Sequence, residues 1–196
     1  MGLLEALVQQ SKRPTGFLGN TMLKIMNSAH NKLMGWGLSK AAVQDTSTVL
    51  DIGCGGGKTI QMLSPLIGHG RIYGIDYSEE AVLTSSKANA EDIKSGKVSI
   101  KQASVSAIPF SDEFFDVITA FQTHYFWPNL KGDMAEVYRV LKPEGRFVLV
   151  SELYKMEYHM NEYKTPDALE ELLTGIGFLN ITLSQTSQAI CLVAWK

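Results

Sequence analysis

Cysteine is scarce in this chain: two in 196 residues, Cys54 and Cys191. Two distant thiols do not make the disulfide framework of a small secreted domain, and neither sits in a metal-ligand spacing. No metal site is expected. Charge of one sign is also scarce as a block. Lys and Arg number 18 against 20 Asp and Glu, for a net charge of −2. The first forty residues carry more base than acid, but dispersed, so no nucleic-acid footprint shows. Long apolar runs are missing, as are internal repeats and low-complexity tracts. The opening Met1-Gly2-Leu3-Leu4-Glu5-Ala6-Leu7-Val8 lacks a cationic leader region and is too short to span a bilayer. Gly2 begins like a myristoylation signal, but position 6 is Ala rather than Ser or Thr. These absences suggest a cytoplasmic protein without membrane insertion.

What is present is a hydrophobic content of 45% and a charged content of 19%, ordinary for a globular chain with one sizeable core. One stretch organises it: Val49-Leu50-Asp51-Ile52-Gly53-Cys54-Gly55-Gly56-Gly57-Lys58-Thr59. Apolar β-formers lead into a glycine-dense turn and then a helix-compatible segment. Such a turn lets backbone approach a ligand closely, and the following helix start points unpaired N–H groups at it. The alternative is a tight strand–helix turn with no ligand. A second strand, Ile72-Tyr73-Gly74-Ile75-Asp76, ends in an acid about 20 residues on, where a βαβ nucleotide unit grips ribose hydroxyls. A carboxylate there would repel a 2′-phosphate.

The glycine spacing distinguishes between ribose ligands. Gly53, Gly55 and Gly57 alternate, whereas a dinucleotide fingerprint would need glycine where Lys58 stands. Asp51 lies close to where a pyrophosphate would sit and would repel it, yet would attract an ammonium or a sulfonium. S-adenosylmethionine (SAM) carries both cations, a free ribose and no phosphate, so it is the better electrostatic match.

Four segments now carry a resemblance. Leu50-Asp51-Ile52-Gly53-Cys54-Gly55-Gly56-Gly57 resembles the first motif of class I SAM-dependent methyltransferases, and Asp76 their acid after the second strand. The segment from Ile108 to Ile118 is similar to their fourth-strand motif, and Val137 to Phe147 to the turn before their fifth strand. The order is right, the resemblance covers roughly residues 43 to 196, and the small-molecule branch with quinone-biosynthesis methyltransferases looks closest. Two positions depart from the branch: Ser104 stands where an acid usually meets the adenine amino group, and Glu144 where a glycine usually precedes Gly145.

The resemblance implies a Rossmann-like, doubly wound α/β fold in three layers. Its seven-stranded sheet is mostly parallel with an antiparallel last strand, and an N-terminal helical extension over 1–43 precedes the domain over 44–196. Strands are expected near 48–53, 71–76, 98–103, 116–122 and 146–152, then a closing hairpin over 178–195. Residues 153–163 read as irregular. The implied cofactor is SAM, with S-adenosylhomocysteine (SAH) as product. Gly53, Cys54, Gly55 and Gly57 form its turn, Asp51 orders the ammonium, and Asp76 holds the ribose. Tyr77, Ser104 and Val105 meet adenine, and backbone at Ala120 and Phe121 accepts from the ammonium.

The acceptor side is less determined. Met22, Ile25, Met26, Ala29, His30 and Leu33 fall on one helical face, either packed on the sheet edge or serving as a lid with Met26 and His30 against an acceptor. His124 is a candidate general base or a structural loop histidine, since an unperturbed imidazole titrates near neutrality. In the implied fold the loop Gln122-Thr123-His124-Tyr125-Phe126-Trp127 beyond the fourth strand faces the methyl group, and Tyr125 or Tyr154 could orient an acceptor. The chain lacks the Asn/Asp-Pro-Pro-aromatic motif of nucleic-acid amino-methylating enzymes. Expected, therefore, is a small, at least partly apolar acceptor, with no nucleic acid involved. The oligomeric state is left open. A SAM-binding protein without turnover and a nicotinamide-dependent oxidoreductase remain the alternatives.

Overall fold

The computed structural model describes residues 30–196, of which 36–196 make one compact unit. Met26 lies outside the described residues, and with it most of the expected lid. Among the described residues a helix over 30–41 (α1) comes first, with His30 half-buried. Along it, Gly37 faces the Phe121 ring and Val150, where an added Cβ would lie 2.7 Å from either side chain.

The sheet has seven strands in the order β3-β2-β1-β4-β5-β7-β6. They are β1 Thr48–Ile52, β2 Arg71–Asp76, β3 Val98–Gln102, β4 Phe115–Phe121, β5 Leu141–Glu152, β6 Leu179–Gln185 and β7 Ala189–Trp195. The first five pair in parallel, and β7 runs antiparallel to both β5 and β6. Helices between them are α2 Lys58–Leu63, α3 Glu79–Ala88, α4 Ala90–Lys94, α5 Leu130–Val140, α6 Leu153–His159 and α7 Pro166–Ile176.

Burial explains the parallel arrangement. Strands covered on both faces read as unbroken apolar runs, and Val49, Leu50, Ile52, Val117, Ile118 and Ala120 are all buried. Leu50, Ile52 and Ile118 share a core with Met134 and Val137 of α5 and with Leu169 and Leu173 of α7. Strand order reverses between β1 and β4. Right-handed crossovers then place the helices of the two halves on opposite faces. A crevice opens beyond the carboxyl ends of β1 and β4, where ligands of such sheets bind.

Two expectations about local structure are corrected. Residues 153–159 are helical rather than irregular. Met156 is buried while Tyr154 and Tyr158 are exposed, so one residue anchors the helix and the aromatic pair faces out at i,i+4. The segment also lacks a side-chain cap, which removes the usual start signal. Strand β5 begins at Leu141 rather than near 146, because Leu141 pairs with Phe115 ahead of a bulge. Within that bulge Glu144 takes φ 64° and its N–H donates to the Lys196 carbonyl at 2.9 Å. Among the described residues no helix is long and apolar enough to cross a membrane, and no group of His, Cys, Asp and Glu is placed to hold a metal.

Candidate active site: a cleft beyond strands β1 and β4

The glycine turn is built as a close backbone loop. Gly53 and Cys54 donate their N–H groups to the Ile75 carbonyl at 2.8 and 3.1 Å, tying the turn to the end of β2. Gly53, Gly55 and Gly57 have φ of 69°, 50° and 80°, conformations that L side chains rarely adopt. Gly53 also has no room: a Cβ would sit 2.2 Å from Thr123 Oγ1. The first glycine thus lets the β1 turn meet the loop after β4.

Asp76 completes the turn from β2. Its Oδ2 accepts from the Gly55 N–H and its Oδ1 from the Ser78 N–H, both at 2.9 Å. Each oxygen keeps a lone pair, so the carboxylate can hold the turn and still accept from a diol.

Asp51 is buried, one strand residue behind the turn. Thr119, its register partner on β4, donates to Oδ1 at 2.7 Å, and Thr59 also bonds the carboxylate. Burial pushes its pKa up to about 7; the threonine hydroxyls work against that, and the Asp76 charge adds to it. Among the described residues no cation lies beside it to offset desolvation.

A cleft of about 550 Å³ lies over these residues, within the range of small-molecule sites. Gly53 and Asp76 line its middle. Tyr77, Ala103, Ser104 and Val105 close the side toward β3, and Gln122, Thr123, Phe126, Trp127 and Pro128 the side beyond β4. Of the expected residues, Gly53, Asp76, Tyr77, Ser104 and Val105 meet in this lining. Tyr77 is 81% exposed and Val105 buried, so the adenine side has one open and one packed wall. Ser104 Oγ accepts from the Ser106 N–H at 3.1 Å as cap of a short 3₁₀ turn.

Other expected residues lie outside the lining. Cys54 is buried, its thiol pushed up to about 12 by burial and the Asp51 charge. Gly55 and Gly57 shape the turn from beneath. Ala120 and Phe121 are buried at the end of β4. The loop that carries Ser104 is clasped from α5 by Arg139, which donates to the Ile108 and Phe110 carbonyls and pairs with Asp112 and Glu136.

His124 and Tyr125 belong to a second cavity of about 550 Å³, bounded by the 124–131 loop and residues 159–163. Trp127 and Pro128 line both cavities. His124 is 1% exposed, both ring nitrogens are without a hydrogen-bond partner, and burial pushes its pKa down to about 3. It is therefore a neutral imidazole at neutral pH. Tyr125 stacks on His159 at 5.4 Å and donates to Gln122 Oε1 at 3.2 Å. Tyr154 is 64% exposed and lines neither cavity. The loop Gln122–Trp127 was expected to face the methyl group, but only His124 and Tyr125 of it were given roles, and Thr59 and Thr119 were not recognised as the grip on Asp51. Gln122, at φ 60°, directly ends β4, and Lys155 donates to its Oε1 at 3.2 Å.

Comparison with known proteins agrees with this architecture. A family model described as a methyltransferase domain matches residues 50–149. The uncharacterized methyltransferase YcgJ of Bacillus subtilis is 30% identical over 151 residues, covering 73% of this chain and 58% of that protein. The ubiquinone/menaquinone biosynthesis C-methyltransferase UbiE of a Marinomonas species is 31% identical over 146 residues, covering 70% of this chain and 58% of the other. The chain thus spans a little over half the length of these curated relatives. A solved structure described as a SAM-dependent methyltransferase from Aquifex aeolicus superposes with a TM-score of 0.68 at 20% identity, covering 85% of this chain and 96% of the other, a likeness of fold. With the matched segment running from the glycine turn through β5, the chain belongs to the class I SAM-dependent methyltransferase family.

Proposed function

We propose that the protein transfers the methyl group of SAM to a small, at least partly apolar acceptor. The observation that carries this reading is the pairing of a positive-φ glycine turn with Asp76 in a cleft of nucleoside size. Bound SAM would supply an electrophilic methyl on a cationic sulfur. The chain's part is alignment and exclusion of water.

In this reading Asp76 accepts from the ribose hydroxyls, while Tyr77, Ser104 and Val105 flank adenine. Gly53 lets backbone reach the amino-acid end, shaped by Cys54, Gly55 and Gly57. Asp51, with the carbonyls at Ala120 and Phe121, orders the ammonium. A buried acid raised to about 7 suits that role, because an ammonium beside it favours its ionised form.

The acceptor enters from the β4 side in this account. The wall formed by Trp127 and Pro128 is common to the cleft and the second cavity, so Tyr125 and His124 lie close behind it. As a neutral imidazole His124 can still bond an acceptor at either nitrogen, a positioning role rather than strong general-base catalysis. Tyr154 remains a candidate for orienting the acceptor. The Marinomonas relative is, by its name, a C-methyltransferase of ubiquinone and menaquinone biosynthesis, which supports the acceptor class.

The test is methyl-labelled SAM incubated with the protein and, separately, with small-molecule and macromolecular fractions of a cell extract. Label in the organic-soluble fraction supports the reading. Label only in protein or RNA overturns the acceptor class.

A further inference from the structure

We propose that Phe126 and Trp127 make the cleft selective for the cationic form of the cofactor, so that SAM binds more tightly than the product SAH. This rests on the reading of the cleft as the cofactor site. Among the described residues, the lining contains one acid, Asp76, and no Lys, Arg or His. Immediately behind it lies the buried Asp51. Lys155 bonds Gln122 of the lining but also pairs with Glu152 at 2.6 Å, so that pair brings no net charge. The site is therefore net negative.

Two aromatic side chains stand on the side that would face the sulfonium. The cleft runs from Tyr77, Ser104 and Val105 past Asp76 and Gly53 to the loop after β4, in the spatial order of the strands. With the ribose on Asp76 and the adenine toward Ser104, the sulfur falls on the far side of Gly53. Thr123 meets Gly53 there, and Phe126 and Trp127 follow within the same loop. Aromatic faces attract cations, more strongly when water is excluded. During transfer the methyl carbon–sulfur bond would break with its electron pair staying on sulfur, an electron pair of the acceptor would form the new bond, and the positive charge would pass to the acceptor, which loses it as a proton to solvent. Sulfur thereby loses its positive charge. Product then keeps the adenosine and amino-acid contacts but loses attraction to the aromatic faces and to the acids, which favours its release.

The test is calorimetric titration of the protein with SAM, SAH and sinefungin, an analogue with an amine in place of the methylsulfonium. The proposal expects SAM and sinefungin to bind about fivefold more tightly than SAH, the ratio given by ~1 kcal/mol. In Phe126→Leu/Trp127→Leu that ratio falls, SAM and sinefungin losing more affinity than SAH. Phe126 is 65% exposed, so Phe126→Leu alone keeps the test open if the double variant does not fold, and it should lower the ratio in the same direction. Equal or tighter binding of SAH to the parent protein, or a ratio unmoved by the variants, overturns the proposal while leaving the cofactor site standing. Binding of none of the three overturns the cofactor reading itself.

Discussion

The Gly55 N–H donates to Asp76 Oδ2 at 2.9 Å, so the glycine turn after β1 and the acid ending β2 form one hydrogen-bonded unit. The carboxylate that would accept from a ribose also holds the loop that would approach the amino-acid end. Asp76→Ala should therefore cost stability as well as affinity. Two charge-assisted bonds, to Gly55 and Ser78, are lost, on the order of 2 kcal/mol in all for a partly exposed group. Denaturant unfolding measures that term, and SAH binding should fall at least tenfold in protein shown to be folded.

The glycines are not equivalent. Gly53→Ala combines positive φ with a Cβ 2.2 Å from Thr123 Oγ1, and Gly57→Ala places one 2.4 Å from Ser85 Oγ and Asn89 Nδ2. Each should destabilise by ~1–3 kcal/mol. At Gly56 φ is not positive and nothing lies within 4 Å of the added Cβ. Gly56→Ala should leave both the thermal midpoint and SAH binding nearly unchanged. Melting curves of the three variants check the ranking.

Asp51 gives a pH signature. Its pKa is raised from 3.8 to about 7 in the fold, so the folded state binds more protons than the unfolded state between those values. Stability then falls as pH rises through that window, and the cost is complete above it. Asp51→Asn should match the parent below about pH 4 and exceed it in stability by a few kcal/mol, to order of magnitude, above about pH 7. The same variant should bind SAM more weakly, having lost the charge opposite the ammonium. Urea unfolding across pH, with calorimetry alongside, tests both halves.

Arg139 ties the 108–112 loop to α5 through two carbonyls and two carboxylates. Arg139→Lys keeps the charge but cannot fork across four acceptors. It should lower stability by ~1–2 kcal/mol and weaken SAH binding a few-fold through the attached Ser104–Val105 wall. Hydrogen exchange in residues 103–112 should quicken with it.

Much of the architecture was legible because local signals agreed with the global fold. Apolar β-formers marked β1, an acid ending the second strand marked β2, and alternating glycines marked a turn that proves to need positive φ. Contacts distant in sequence were hidden. Thr119 reaches Asp51 across 68 positions, and only strand pairing brings them together. The loop of Phe126 and Trp127 was expected to face the methyl group, but which of its side chains line the cleft is decided by packing. His124 was recognised as unusual from its chemistry alone. Its burial, which leaves it neutral and outside the cleft lining, depends on packing that no local pattern encodes.

The most direct measurement of the central claim is calorimetric titration with SAH and with NAD, on the parent protein and on Asp76→Ala. The account predicts micromolar SAH binding, lost or weakened at least tenfold in the variant, and no NAD binding. NAD binding in place of SAH, or SAH affinity indifferent to Asp76, would contradict it.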